Sequence, residues 1–417
     1  MQDPVQGRNT LSTVREQVAR VLRADACSGC GVCTILDAGL SMRLDDSGHL
    51  RPAVSGPADE RSRAARIFKR ACPGRQVVAK RPRGSTRHPL LGSYFGMWEA
   101  WAVDPEVRHR ASSGGALTAI QGWLLASEAV TQLSTAAADR DRPVRTVPVR
   151  IVSKEEALAA AGSRYAPVAV GSLTTGDPAH AVTAKPCEVG AIRALSGGRF
   201  GGTPVLLSFF CAGTPSQHAT ERLIRDLGGP GPEEITDLWY RGRGWPGRFT
   251  AVFDGGEVSA DYDESWGRAL GPTTQWRCKI CPDGVGESAD IAAADSWESD
   301  ERGYPTFDER EGRSALLART ERGLAIVLAA HEAGVIELRP LDPARLAQAQ
   351  PLQTGRRQYL AARLWGARLG GRAVPRYRGF GLTRLSLAHP RLALRALRGT
   401  LRRVREARGP RRRGETP

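Results

Sequence analysis

Between residues 88 and 345 the apolar positions fall into a recurring order of short strand-like runs followed by longer helical ones. Trp98–Val103 reads as a strand, and Ser112-Ser113-Gly114-Gly115 then opens an Ala/Leu-rich helical stretch from Ala116 to about Ala129. The same order returns at Ala181–Ala184 before Cys187–Leu195, at Pro204–Phe210 before Pro215–Leu227, and at Ser314–Thr320 before Glu321–Gly334. This repetition predicts an α/β class with mixed sheets and helices. Ile235–Phe253, broken by Gly242-Arg243-Gly244-Trp245-Pro246-Gly247, predicts a hairpin or meander.

The flanks look different. Residues 1–87 are polar and show little apolar periodicity, which predicts a small module held by its ligands, with the basic run Lys80–His88 as an exposed linker. Beyond residue 346, Leu394, Leu397, Leu401 and Val404 recur at helical spacing among arginines, predicting a basic amphipathic helix and then a disordered Arg run.

Charge sharpens the contrast. The 417 residues carry +16, and residues 355–417 hold 18 arginines, no lysine and two acids, so the tail carries the whole excess. The body therefore lacks the basic surface that a nucleic-acid protein would use, and no specific nucleic-acid partner is expected. The tail predicts contact with an anionic membrane face or an acidic partner; a solvated tail is the plainer reading. The longest apolar runs, such as Trp123–Ala126 and Gly323–Ala330, are far short of a membrane span, and Met1–Thr10 has no secretory pattern. A cytoplasmic protein is expected, with peripheral contact at the inner membrane face if the tail binds there.

In that compartment eight cysteines point to metal or redox use rather than disulfides. Cys27, Cys30 and Cys33 form a C-x2-C-x2-C loop in which Gly29 and Gly31 let the backbone turn between ligands. Cys72, followed by Pro73, has the Cys-Pro context of ferredoxin loops, although it lies 39 residues beyond Cys33 rather than four. These four suit one [4Fe-4S] cluster. Cys187 and Cys211 each follow a predicted strand, and strand C-termini of an α/β sheet converge, so both are placed to meet the Cys278-x2-Cys281 loop in a second four-thiolate site. Structural zinc also accepts C-x2-C spacing.

Arg110 and the turn Ser112, Ser113, Gly114 and Gly115 stand where a helix begins, an arrangement suited to phosphate; an ordinary N-cap is the plainer reading. Arg164, Arg241 and Arg243 offer planar forks to an acidic coenzyme or serve as surface charge. Tyr165, Trp245 and Trp276 are by default core aromatics, and His109 has no assigned role.

Taken in order, Arg110–Gly115, Gly162–Pro167, Lys185–Glu188, Phe210–Gly213, Tyr240–Gly247 and Cys278–Pro282 resemble the coenzyme F420 hydrogenase/dehydrogenase beta subunit family, which includes 7-hydroxymethyl chlorophyll a reductase. The resemblance runs from about Tyr94 to Ala330, and some members carry an N-terminal loop similar to Cys27–Cys33. It implies FAD, with Ser112–Gly115 at its phosphates and Tyr165 and Lys185 lining the flavin, plus one cluster on Cys187, Cys211, Cys278 and Cys281 and another on the N-terminal four. Four regions are then expected: a ferredoxin-like module and linker (1–87), the N-terminal-type (88–175) and C-terminal-type (176–345) regions of the family, and the tail (346–417). The implied activity passes electrons between ferredoxin-like carriers, or a redox partner subunit, and coenzyme F420 or a related organic substrate through FAD. A reductase of one specific metabolite, a non-catalytic electron-relay subunit and a zinc-stabilised binding protein are the competing readings.

Overall fold

The structure is a computed structural model and describes residues 13–58, 62–197, 201–296 and 311–407. An eight-stranded mixed sheet forms its centre. Across it run Ile336–Pro340, Gly96–Ala102, Ser314–Ala318, Ile291–Asp295, Val205–Phe209, His180–Thr183, Gln132–Ala138 and Thr146–Ile151. The four strands from Ile291–Asp295 to Gln132–Ala138 are mutually parallel, while the outer ones pair antiparallel. The inner strands are buried on both faces and read as continuous apolar runs, such as Ala181-Val182 and Leu206-Leu207. Each strand–helix unit expected from the pattern is present, including Ala116–Ala126, Pro186–Ser196, Gln217–Asp226 and Glu321–Glu332. Ile235–Trp239, Phe249–Phe253 and Gly256–Ala260 make the expected meander.

The C-terminal edge of the parallel strands sets up the chemistry. His180–Thr183 runs into Lys185-Pro186-Cys187, Val205–Phe209 into Cys211, and Ile291–Asp295 ends on Asp295 itself. Pro186 begins a helix there because its missing N–H and fixed φ suit a first helical turn.

The N-terminal region corrects the expectation of a module without periodicity. Val14–Arg23 is a helix whose Thr13 and Glu16 cap each other, and it buries Val14, Val18 and Val21. With Leu36 and Phe68 these residues join Val189, Ile192 and Leu195 of the Pro186–Ser196 helix in one apolar cluster. Residues 14–71 therefore share a core with the body, and apolar packing as well as ligands can hold them. The run Lys80–His88 is also more than a linker: Thr86–His88 pairs with Gly92–Tyr94, and Arg87 reaches buried Glu287 at 2.9 Å.

The tail departs further from expectation. Pro351–Leu369 is a 19-residue helix lying on the body, and Pro390–Glu406 packs back upon it. Their approach is close at Gly366, where a Cβ would stand 2.5 Å from the Leu397 carbonyl. Val404 is buried and Leu397 and Leu401 half-buried, whereas Leu394 is exposed. Much of the apolar face foreseen for a membrane is thus taken by the protein's own helix. Arg376–Arg378 pairs parallel with Gln76–Val78, tying the tail to the N-terminal region. The Arg run at 408–413 lies outside the described residues. Among the described residues no helix is long and apolar enough to cross a membrane.

Candidate functional site

Cys27, Cys30 and Cys33 lie on a tight loop that enters the Val32–Leu36 helix, and Gly29 and Gly31 supply its left-handed turns at φ 71° and 75°. Cys72 ends the Ser62–Ala71 helix, its N–H donating to the Phe68 carbonyl. Gly74 then allows close passage, since a Cβ there would stand 2.6 Å from the Ala26 carbonyl. All four cysteines consequently line one cavity, walled by Val18, Val21, Leu36 and Phe68. Burial pushes each thiol up, Cys30 to about 11, and the neighbouring cysteines push Cys30, Cys33 and Cys72 further. Such thiols stay protonated unless a metal takes the proton's place. The 39-residue gap before Cys72 is bridged by the fold.

Cys187 and Cys211 of the second set follow the strands His180–Thr183 and Val205–Phe209 at the C-terminal edge of the sheet. Burial, followed by the charges of Cys278 and Cys281, raises Cys211 to about 12; burial and then Glu188 raise Cys187 well above the usual range, with Cys211 also contributing. The Cys211 N–H donates to the Gly284 carbonyl at 2.8 Å, and the Thr214 N–H points to the Cys278 sulfur at 3.4 Å. The loop that carries Cys278 reaches both loops of the first set, through Gln275 to Ser28 and Arg277 to Pro73, so the two sets are neighbours. Among the described residues no group of three or more His, Cys, Asp or Glu is arranged to hold a single metal ion. In the first set, the four thiols about an apolar cavity suit a soft iron–sulfur group.

Two residues that sequence reasoning did not single out bind the sets together. Gln275 donates its side-chain amide to the Ser28 carbonyl at 3.2 Å, while its own carbonyl accepts from the Cys278 N–H at 3.0 Å. Arg277 is buried and reaches the Pro73 carbonyl. From the other side, Arg356 donates to Ala212 and Arg357 to Pro282, the residues that follow Cys211 and Cys281. Their position inside the Arg-rich tail hid this role.

The residues assigned to a flavin are only partly assembled. Ser112 Oγ meets both the N–H and the hydroxyl of Ser163 at 2.8 Å, and the Ser113 hydroxyl donates to Asp295, which also pairs with Arg241 at 2.8 Å. Tyr165 joins this group through Arg241 and Ser163, and meets Tyr240 edge-to-face and Trp266 at a tilt. Lys185 is held elsewhere: its Nζ donates to the Val168 carbonyl at 2.6 Å and pairs with Glu188 at 3.0 Å, close to Cys187. Arg110 is exposed.

The turn already uses several of its donors. Gly114 N–H goes to Ser314 Oγ and Gly115 N–H to the Ser112 carbonyl. Its glycines have a packing reason as well: a Cβ on Gly114 would stand 2.6 Å from the Ala100 carbonyl, and Gly115 has φ 72°. The donor set therefore fits a phosphate incompletely, through Arg110 and the following turn of helix. Arg164 is likewise engaged inside the protein, with the Leu238, Pro143 and Arg145 carbonyls, whereas Arg243 is exposed and pairs with Asp237 at the surface.

Sequence models of the coenzyme F420 hydrogenase/dehydrogenase beta subunit match this chain, the N-terminal one over residues 97–174 and the C-terminal one over 179–344. The chain belongs to this family. The beta subunit of coenzyme F420 hydrogenase from Methanococcus voltae is 26% identical over 268 residues, covering 60% of this chain and 86% of that protein. A chain of the F420-reducing [NiFe] hydrogenase complex from Methanosarcina barkeri superposes with a TM-score of 0.50 at 22% identity, covering 65% of this chain and 91% of its own, a likeness of fold. The family match spans Cys187, Cys211, Cys278, Cys281 and the 112–115 turn. Cys27–Cys72 and the Pro351–Leu369 helix lie outside it.

Proposed function

We propose that this beta-subunit-family chain is an iron–sulfur flavoprotein oxidoreductase with two [4Fe-4S] clusters, one on Cys27, Cys30, Cys33 and Cys72 and one on Cys187, Cys211, Cys278 and Cys281. The observation that carries the reading is the adjacency of two four-cysteine sets, whose loops are joined by the hydrogen bonds of Gln275 to Ser28 and of Arg277 to Pro73. Clusters supply one-electron steps and FAD exchanges electron pairs, so a chain bearing both can pass electrons between a ferredoxin-like donor or redox partner subunit and coenzyme F420 or a related organic acceptor.

This chain's own residues have distinct tasks. The apolar walls Val18, Leu36 and Phe68 keep water from the first set, while Arg277 and Gln275 hold the two loops at fixed separation. Asp295, Arg241, Ser112 and Ser163 set the conformation of the turn proposed to face the flavin, with Tyr165 beside them.

Anaerobic purification followed by iron, acid-labile sulfide, zinc and flavin quantitation tests the reading. About eight iron, eight sulfide and one FAD per chain are expected. Clusters without flavin would favour a relay subunit, and zinc without sulfide would sink the redox reading.

A further inference from the structure

A second cavity, of about 240 Å³, opens where residues 70–80 meet the Pro186–Ser196 helix and the 277–288 loop. Cys187 and Cys281 touch its wall, but Cys211 and Cys278 do not, so it lies beside the second thiol set rather than within it. The wall includes Arg70, Lys80, Arg193 and Arg277 and a single carboxylate, Asp283. Asp283 is already committed, accepting from the Glu287 N–H at 3.0 Å and facing Arg357 at 3.9 Å.

The cations are poorly compensated. Arg193 pairs with Asp290, whereas Arg70 and Lys80 stand exposed at the rim and have no carboxylate partner among the described residues. Burial and the neighbouring Arg193 and Arg70 push the Lys80 ammonium down, as expected of like charges sharing one space. Arg277 is only 1% exposed, and its Nη1 has no hydrogen-bond partner among the described residues. A buried guanidinium nitrogen without an acceptor is costly unless something bound supplies one. The volume is on the order of eight water molecules, room for a small polyanion.

We propose that this cavity binds a small phosphate-bearing anion, held by Arg70, Lys80 and Arg277 beside Cys187 and Cys281. The inference does not depend on the flavin turn, which uses other residues. Phosphate suits the site because several cations converge on one space and a phosphate group presents acceptors in several directions.

Calorimetric titration of inorganic pyrophosphate into the full-length protein, with its native cofactors and at fixed ionic strength, tests this. One saturable site is expected, with Lys80→Glu and Arg70→Glu each weakening it about tenfold or more while leaving the melting temperature unchanged. Competition by adenosine monophosphate would assign a phosphate ester as the ligand, and its absence a free polyphosphate. Lack of saturable binding, or binding unaffected by both substitutions, overturns the proposal. Equal affinity for citrate overturns the assignment to phosphate. Release of bound flavin by pyrophosphate overturns the site's independence, because the cavity would then be the flavin's own.

Discussion

Arg277 donates two hydrogen bonds to the carbonyl of Pro73, from Nε at 3.2 Å and Nη2 at 3.1 Å, across 204 residues of chain. Arg277 immediately precedes Cys278, and Pro73 immediately follows Cys72. One guanidinium thus holds together two loops that each carry a thiol of a different set.

Arg277→Gln should cost about 3 kcal/mol, because it removes a charged double donor and strands a buried carbonyl. Urea denaturation of the variant against the parent measures this. If both loops depend on the contact, iron content falls as well; a denaturation midpoint within error of the parent would show the contact to be energetically idle.

Cys281→Ser and Cys72→Ser should each remove about four of about eight iron atoms if the two sets hold separate clusters. The double variant should lose both. Iron analysis on anaerobically purified protein decides the matter, and unchanged iron in either single variant would strike that cysteine from its set.

His180 is fully buried, its ring nitrogens engaged by Ser134 Oγ at 3.0 Å and Thr175 Oγ1 at 2.9 Å. Burial, with a smaller contribution from Arg150, lowers it to about 4. Its folded value lies below the ordinary 6.5, so the unfolded chain takes the proton first as pH falls. Stability from the neutral ring is present above about 6.5 and lost progressively down to about 4, on the order of 3 kcal/mol in all. Denaturation midpoints at pH 7, 5.5 and 4.5 should fall less steeply in His180→Asn than in the parent. Parallel slopes would mean that other groups account for the acid sensitivity.

Gly366→Val should separate the Pro351–Leu369 and Pro390–Glu406 helices, since any Cβ there meets the Leu397 carbonyl. Overpacking of this kind costs roughly 1–3 kcal/mol. Accelerated proteolysis within residues 370–407, with a lowered melting temperature, is the expected result. Unchanged cleavage would show that the helices tolerate wider spacing.

The parts of the fold that were legible had strong local signals. The strand–turn–helix units were readable because apolar runs of the right length are bounded by Gly, Pro and Ser, and sheet topology then carried Cys187 and Cys211 to one edge. The Cys27–Cys33 spacing was equally plain. The Val14–Arg23 helix has helical spacing at Val14, Val18 and Val21, but three arginines and a glutamate on its other faces and Gln17 on the buried one dilute the apolar stripe. The link from Arg277 to Pro73 leaves no trace in local pattern, since its ends are far apart in the chain. Arg356 and Arg357 were read as tail charge because composition cannot separate an arginine that binds a carbonyl from one in solvent. Asp295, at the last position of a parallel strand, had a usable signal: a carboxylate at a sheet's C-terminal edge.

The parallel pairing of Arg376–Arg378 with Gln76–Val78 has a bearing on biogenesis. A strand so near the beginning of the chain acquires its partner only after some 300 further residues have been made, as their positions show. Contacts this distant close late. On a ribosome the segment just beyond Cys72 therefore waits without this partner until residues 376–378 have emerged, and the wall that Gln76–Val78 lend to the cavity beside Cys187 and Cys281 stays unsupported until then.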